Sequence, residues 1–418
     1  MSTSAQPQNA ASSLGSAQQP SRLIPSTLLN LAHGIDHLFL LIFASAVSAI
    51  AQDFGFSNWE DLMPYGTWAF LMFGLGSIPC GRLGDLWGRR QMMLIFFFGM
   101  GAAAIGCACA QTVVQLTVGL TLIGTFASIY HPIGIPMLLE RSTNAGATIG
   151  FNGLVGNLGV ALVAILTGFL IKYFDWRVAF LVPALLTLVC GAVFYWVCPK
   201  ETEPPSKRIG GAKVQLTGRM LAKALAVMTA AAASSSVLFN VSTNGNAQLL
   251  SERFIGVIED PSTLGFLLAV VYTVSSFAQV VVGHLISRFP LKPFFLLMVT
   301  AQIPVLIFAS MAQGWWLLFS LLLLMIFIFG AVPFTDVLIS RYVDDRLRSR
   351  VAGMRLGISL GLSSVGVWAL GPVVKSVGFD NGLLILALFS ITTACILTLL
   401  PSAEDEMLSN TRIKAGQT

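Results

Sequence analysis

Residues 81–90 read GRLGDLWGRR. One carboxylate, Asp85, and three arginines, Arg82, Arg89 and Arg90, are spaced by Gly81, Gly84 and Gly88. On either side lie long apolar runs, at about 61–82 and 91–111. So few polar residues between runs of that length predict a charged turn where the chain leaves a bilayer and re-enters it, since roughly 20 apolar residues span the hydrocarbon.

Outward from that turn the pattern repeats. The 418 residues are 55% hydrophobic and 10% charged, with mean hydropathy +0.80. Soluble domains carry about 25% charge, so a bilayer must cover much of this surface. Twelve apolar stretches are predicted, at about 25–51, 61–82, 91–111, 113–138, 146–173, 177–198, 221–250, 263–287, 292–312, 315–339, 352–376 and 380–400. Their apolar character is continuous rather than alternating, which predicts helices and not a barrel. The expected fold is an all-α membrane protein of twelve transmembrane helices in two pseudo-symmetric six-helix bundles.

Positive charge orients it. With a cytoplasmic N-terminus, only Lys172, Arg177, Arg253 and Lys375 of the 24 Lys and Arg fall outside. The bias predicts both termini in the cytoplasm. The net charge of +5 is therefore an orientation signal, and no nucleic-acid partner is expected. The six cysteines, Cys80, Cys107, Cys109, Cys190, Cys198 and Cys395, lie in or beside apolar runs without C-x-x-C spacing.

The organisation expected is a disordered tail at 1–21, a first bundle at 22–198, a linker at 199–220, a second bundle at 221–401 and a tail at 402–418. Pro204-Pro205 and Gly210-Gly211 mark the linker, with a short interfacial helix near 214–220 as an option. The halves echo each other: Pro132 answers Pro333, and the glycines from Gly150 answer those from Gly353. Gly150, Gly153, Gly156 and Gly159 recur every three residues, which reads as close helix packing. No glycine-rich phosphate loop is present, so ATP is not the expected energy source.

Charge inside the bilayer is costly and marks candidate chemistry. His33, Asp36 and His37 stand at i, i+3 and i+4 in the first stretch, on one helical face. At 1.5 Å per residue Asp36 lies about 18 Å in, near the midplane. Histidine titrates near neutral pH, so such a cluster suits proton coupling. The alternative is a static network pinning helices together. His33 and His37 also suit a metal ion, but the sequence identifies no certain third ligand, so neither a metal nor a cofactor is expected. In the seventh stretch Asn240, Ser242, Thr243, Asn244, Asn246 and Gln248 surround Gly245. That predicts either a broken helix exposing its backbone to a cavity or an outer loop. Asn152, Asn157, Gln279 and Gln302 read as interhelical hydrogen bonders. Arg355 either faces an anion or snorkels to the headgroups.

The turn matches G-x-x-x-D-x-x-G-R-R, and with twelve stretches in two halves the chain resembles the major facilitator superfamily across residues 22–400. Leu86 stands where a basic residue is usual. The resemblance implies that stretches 1, 4, 7 and 10 line a central cavity. That gathers Asp36, His33, His37, Tyr130, His131, Asn240 and Asn244 as candidate proton and substrate residues, and Asn157 of the fifth stretch is counted with them. It also implies an inner latch of Gly81, Asp85, Gly88, Arg89, Arg90 and Glu140. Within helix 1 and helices 4 to 6, His33, Asp36, His131, Pro132, Gly156, Asn157 and Gly159 resemble fosmidomycin-resistance-like bacterial facilitators. Leu120 replaces the arginine of drug:proton antiporters, and Asn157 follows Gly156 where their signature has proline. Direction therefore stays open.

What this implies is a monomeric secondary transporter, not an enzyme, in the cytoplasmic membrane. It would move a small organic solute by alternating access with protons, as an efflux pump or as an importer of an organic anion or metabolite. A sensor or scaffold that keeps the fold without transport is the alternative from another class.

Overall fold

The computed structural model describes residues 23–140, 142, 145–200, 216–286, 288–343, 345–402, 405 and 407. The expected tail at 1–21, most of that at 402–418 and most of the expected linker, including Pro204-Pro205 and Gly210-Gly211, lie outside them. The described residues are helical almost throughout, because apolar runs in a bilayer must satisfy their backbone internally. The spanning helices of the first half are α1 (Leu23–Asp53), α2 (Thr67–Trp87), α3 (Arg89–Ala108), α4 (Val113–Glu140), α5 (Ala145–Tyr173) and α6 (Trp176–Val197). Those of the second are α7 (Gly218–Arg253), α8 (Pro261–Leu285), α9 (Leu291–Met311), α10 (Gly314–Tyr342), α11 (345–377) and α12 (379–398).

Breaks have visible causes. α11 and α12 meet at Gly378, whose φ of 77° suits glycine. α9 is interrupted at Ala301, three residues before Pro304, which has no N–H to give the carbonyl of Thr300. α4 widens into a π turn at Tyr130–Gly134 around Pro132, whose missing N–H leaves one intrahelical bond unmade. The stretch expected at 61–82 starts later, at Thr67. A short helix at Trp59–Leu62 and a 3-10 turn at Met63–Gly66, with Pro64 near its start, precede it.

The charged turn is shorter than the sequence suggests. α2 continues to Trp87 and α3 starts at Arg89, so Gly88 alone makes the reversal. Its φ of 88° is one a Cβ-bearing residue rarely adopts. We call the end of the molecule carrying Gly88 the motif end and the opposite end the far end. Trp87 and Trp196 at the motif end, and Tyr173 and Trp316 at the far end, are exposed, as aromatic side chains are at membrane interfaces.

The halves meet along α2 with α11 and α5 with α8. Small residues allow both approaches. Gly74 faces Leu360 and Gly361, Gly168 abuts Pro261, and Gly265 abuts Ala164. Within the first half, Gly159 lies directly on the backbone of Gly34, so α1 and α5 nearly touch. The glycine series of α5 thus serves two neighbours: Gly156 and Gly159 face α1, and Gly153 faces Gln279 of α8.

The far end is sealed between halves. Lys172 pairs with Asp260 at 2.7 Å and Lys375 with Asp61 at 2.6 Å, each joining one half to the other. Gln248 donates to the Ala44 carbonyl at 3.1 Å and accepts from Ser48 at 2.8 Å. Trp59 stacks on Phe379 at 6.0 Å. The hydrogen bonds from Lys172, Ser262 and Thr263 hold the Asp260 carboxyl well below the usual carboxylate range.

Candidate functional site

α1 presents His33, Asp36 and His37 toward α4 and α5. His33 fits because Gly156 of α5 has no side chain: a Cβ there would sit 2.6 Å from the imidazole. The His33 Nδ1–H donates to the Asn152 carbonyl at 2.8 Å. A carbonyl only accepts, so the proton is on Nδ1 and Nε2 keeps its lone pair. His33 Nε2 lies 3.1 Å from His37 Nε2.

The π turn of α4 supplies Tyr130 and His131. Such turns inside α-helices recur at functional sites. Tyr130 stacks on His33 with centroids 4.9 Å apart, and its hydroxyl accepts from Asn152 Nδ2 at 2.7 Å. Asn152 also donates to Asn30 Oδ1 at 3.0 Å. The His131 ring stands edge-on to His33 at 5.1 Å and to His37 at 6.1 Å. One turn-length of α1 and one π turn thus bring three imidazoles together.

Asp36, on the same face of α1 as His33 and His37, has 0% exposure. Neither carboxylate oxygen has a hydrogen-bond partner, and His131 Nε2 is 3.6 Å from Oδ2. A buried, unpartnered carboxylate is expensive, so this group needs a proton or a cation. The side chains of His131 and Arg355 are 21% and 17% exposed. Arg355 of α11 acts electrostatically on His131, while its guanidinium donates to Thr335 and, at 2.8 Å, to Asp336 of α10. The cluster is therefore not wholly enclosed on its His131 side, and a cation of the second half acts on it.

The polar group on α7 goes elsewhere. The helix is unbroken through Gly218–Arg253, and Asn240, Ser242, Thr243, Asn244, Asn246 and Gln248 are all buried. Both expectations, a broken helix and an outer loop, are corrected. Asn240 and Asn244 return their amides to carbonyls one turn back, at 2.9 and 2.8 Å, so the backbone needs no break to satisfy them. Asn246 reaches Tyr272 on α8 at 3.2 Å, and Gln248 serves the far-end seal. Asn157 is buried with its amide nitrogen unpartnered.

At the motif end Arg89 pairs with Glu140, tying α3 to α4. Arg90 does not join that pair. It donates to the Cys198 and Tyr195 carbonyls at 2.7 and 2.6 Å and caps the end of α6. Asp85 is exposed and Gly81 faces open space.

The Major Facilitator Superfamily profile matches residues 29–252. This chain belongs to that superfamily. A probable actinorhodin transporter of Streptomyces coelicolor is 30% identical over 131 residues, 29% of this chain and 23% of that one. A multidrug efflux pump, LfrA, of Mycolicibacterium smegmatis is 29% identical over 153 residues, 35% of this chain and 30% of that one. The alignments span only about a quarter to a third of these curated relatives. A bacterial homologue of the human lysosomal transporter Spinster, solved in an inward-facing and occupied conformation, shares the fold. Its TM-score is 0.72 at 14% identity, over 92% of this chain and 97% of that one.

Proposed function

We propose that this protein is a secondary transporter that moves a small organic solute across the cytoplasmic membrane by alternating access, with protons as the coupling ion. One observation carries the reading: the Asp36 carboxyl is fully buried, 3.6 Å from the His131 ring nitrogen of a three-histidine cluster, and without a hydrogen-bond partner. A carboxylate in that setting must repeatedly gain and lose a cation to be worth its cost. The two moving bodies are residues 22–198 and 221–401, working as a monomer. The motif end is cytoplasmic, as the positive charge favours, so the sealed far end faces outward and the protein stands open to the inside.

Arg89 and Glu140 brace the motif end, and Asp85 meets the second half only when the inner side closes. Export is the direction that the names of the relatives favour, and helix 1 with helices 4 to 6 fits the fosmidomycin-resistance-like branch. Import of an organic anion is the second reading, favoured by the partly exposed Arg355, whose charge acts on His131.

The test is reconstitution into proteoliposomes with an entrapped pH dye. Aromatic drugs and organic acids that raise the melting temperature of the purified protein are added outside. A transporter acidifies or alkalinises the lumen when its solute moves. Silence with every stabilising compound, at either sign of pH gradient, would leave a non-transporting sensor or scaffold.

A further inference from the structure

The same cluster has the composition of a metal site, and the missing third ligand is His131. The ring nitrogens of His33, His37 and His131 lie within 4.8 Å of one another. His33 Nε2 and His37 Nε2 are 3.1 Å apart. Two nitrogens on one tetrahedral zinc ion, each at about 2.0–2.1 Å, stand about 3.4 Å apart. The His33–His37 spacing is therefore close to what a shared ion requires, and the His131 ligand atom lies within 4.8 Å of both. The carbonyl of Asn152 fixes His33 from behind. Metal-bound histidines characteristically donate their second N–H in this way, which leaves the other nitrogen free for the ion.

Asp36 is the independent observation. A hydrogen bond between two neutral imidazoles would explain the His33–His37 contact. It would leave a wholly buried carboxylate with two unpartnered oxygens beside His131. A divalent ion held by the three histidines would place positive charge near that carboxylate and give it a counter-ion through the His131 side. Imidazole suits zinc, nickel, copper and iron, whereas magnesium and calcium prefer oxygen. A site of three imidazole nitrogens selects against those hard ions.

We infer that His33, His37 and His131 bind a divalent transition-metal ion, with Asp36 as its nearby counter-charge, as part of what this protein carries, either bare or in the grip of a small organic chelator. The inference rests on the reading of the cluster as the transport site. It departs from the sequence expectation of no metal, because helix spacing revealed two of the ligands and only the fold brings up the third.

The test uses the purified full chain in detergent. Equilibrium dialysis against zinc, with millimolar magnesium present, should give one tightly held ion per chain. X-ray absorption at the zinc edge should show imidazole scattering. His131→Gln should lower affinity by more than the roughly 10- to 100-fold that losing an outer-shell partner costs. The triple His→Gln variant should lose the ion, while His284→Gln, at an exposed histidine on α8, should keep it. No stoichiometric zinc in the wild type overturns the proposal, as does affinity unchanged in the triple variant. If that variant does not fold, wild-type spectra without imidazole scattering overturn it equally.

Proteoliposomes separate the two sources. Movement of radioactive zinc alone marks the bare ion as cargo, and movement only with added citrate marks a chelate. An ion bound at the histidines that moves in neither form overturns the ion as cargo, while the solute-driven pH signal tests the transport reading separately.

Discussion

α1, α4 and α5 in the first half hold a carboxyl group with no hydrogen-bond partner, whereas α7 in the second half holds more polar side chains and leaves few unsatisfied. Asn240, Thr243 and Asn244 bond carbonyls of their own helix, and Asn246 bonds Tyr272. Ser, Thr and Asn do this readily, which lets polar residues sit in a membrane helix at little cost. Asp36 has no such outlet. The number of polar groups is thus a poor guide to chemistry in a membrane protein. An unmet charge is a better one. The second half does send one charge toward the cluster, Arg355, but Asp336 already balances it.

The comparison can be broken first at the glycines that seat the cluster. Gly159→Ala would drive a methyl into the Gly34 backbone, whereas Gly361 of α11 faces open space. Overpacking typically costs about 1–3 kcal/mol, and backbone has little room to yield. Gly159→Ala should lose at least that much, read as a fall in the denaturation midpoint in detergent. Gly361→Ala should match the wild type. Equal losses would mean that the halves pack alike and that the first is not specially built around His33.

A smaller effect is expected from α7. Asn240→Ala and Asn244→Ala each remove a bond to the helix's own backbone, worth about 0.5–1.5 kcal/mol net. Neither should alter the pH dependence of transport. A changed pH profile in either variant would move chemistry into the second half and dissolve the contrast. Next comes the brace: Glu140→Gln breaks an exposed pair with Arg89, worth about 0.2–1 kcal/mol. Stability should hardly move, while turnover in proteoliposomes should slow as closure of the motif end weakens. Unchanged turnover would reduce the pair to surface charge.

The smallest effect is at the far-end seal. The Asp260 carboxyl is held well below its usual range, first by its hydrogen bond with Lys172. A carboxylate with a depressed folded-state pKa contributes above its unfolded value, near 3.9, and loses that contribution only as pH falls through the folded one. The pair should therefore stay intact between about pH 5 and 7. Spin labels on the far ends of α5 and α8 should keep their separation across that window. A widening there would make the seal itself the pH sensor.

Much of this was legible in the sequence. Continuous apolar runs and the placement of Lys and Arg mark the helices, and i, i+3, i+4 spacing puts His33, Asp36 and His37 on one face. Other features needed three dimensions. A lone asparagine such as Asn152 gives no sign that it links His33, Tyr130 and Asn30. The polarity of α7 suggested a break because sequence alone cannot tell whether an amide will find its own helix. GRLGDLWGRR reads as a loop, but its charges ride on helix ends and only Gly88 turns. Arg90 carries the motif's charge to α6, more than 100 positions along the chain, which no local pattern announces.

The most direct measurement sets one acid of each half side by side. Wild type, Asp36→Asn and Asp336→Asn are reconstituted, and uptake of a solute that moves the wild-type pH signal is followed under an imposed pH gradient and at equal pH. The account predicts that Asp36→Asn loses uphill accumulation while still exchanging solute at equal pH, and that Asp336→Asn still accumulates. Asp36→Asn driving uphill transport at the wild-type rate would contradict it, as would equal loss in both variants.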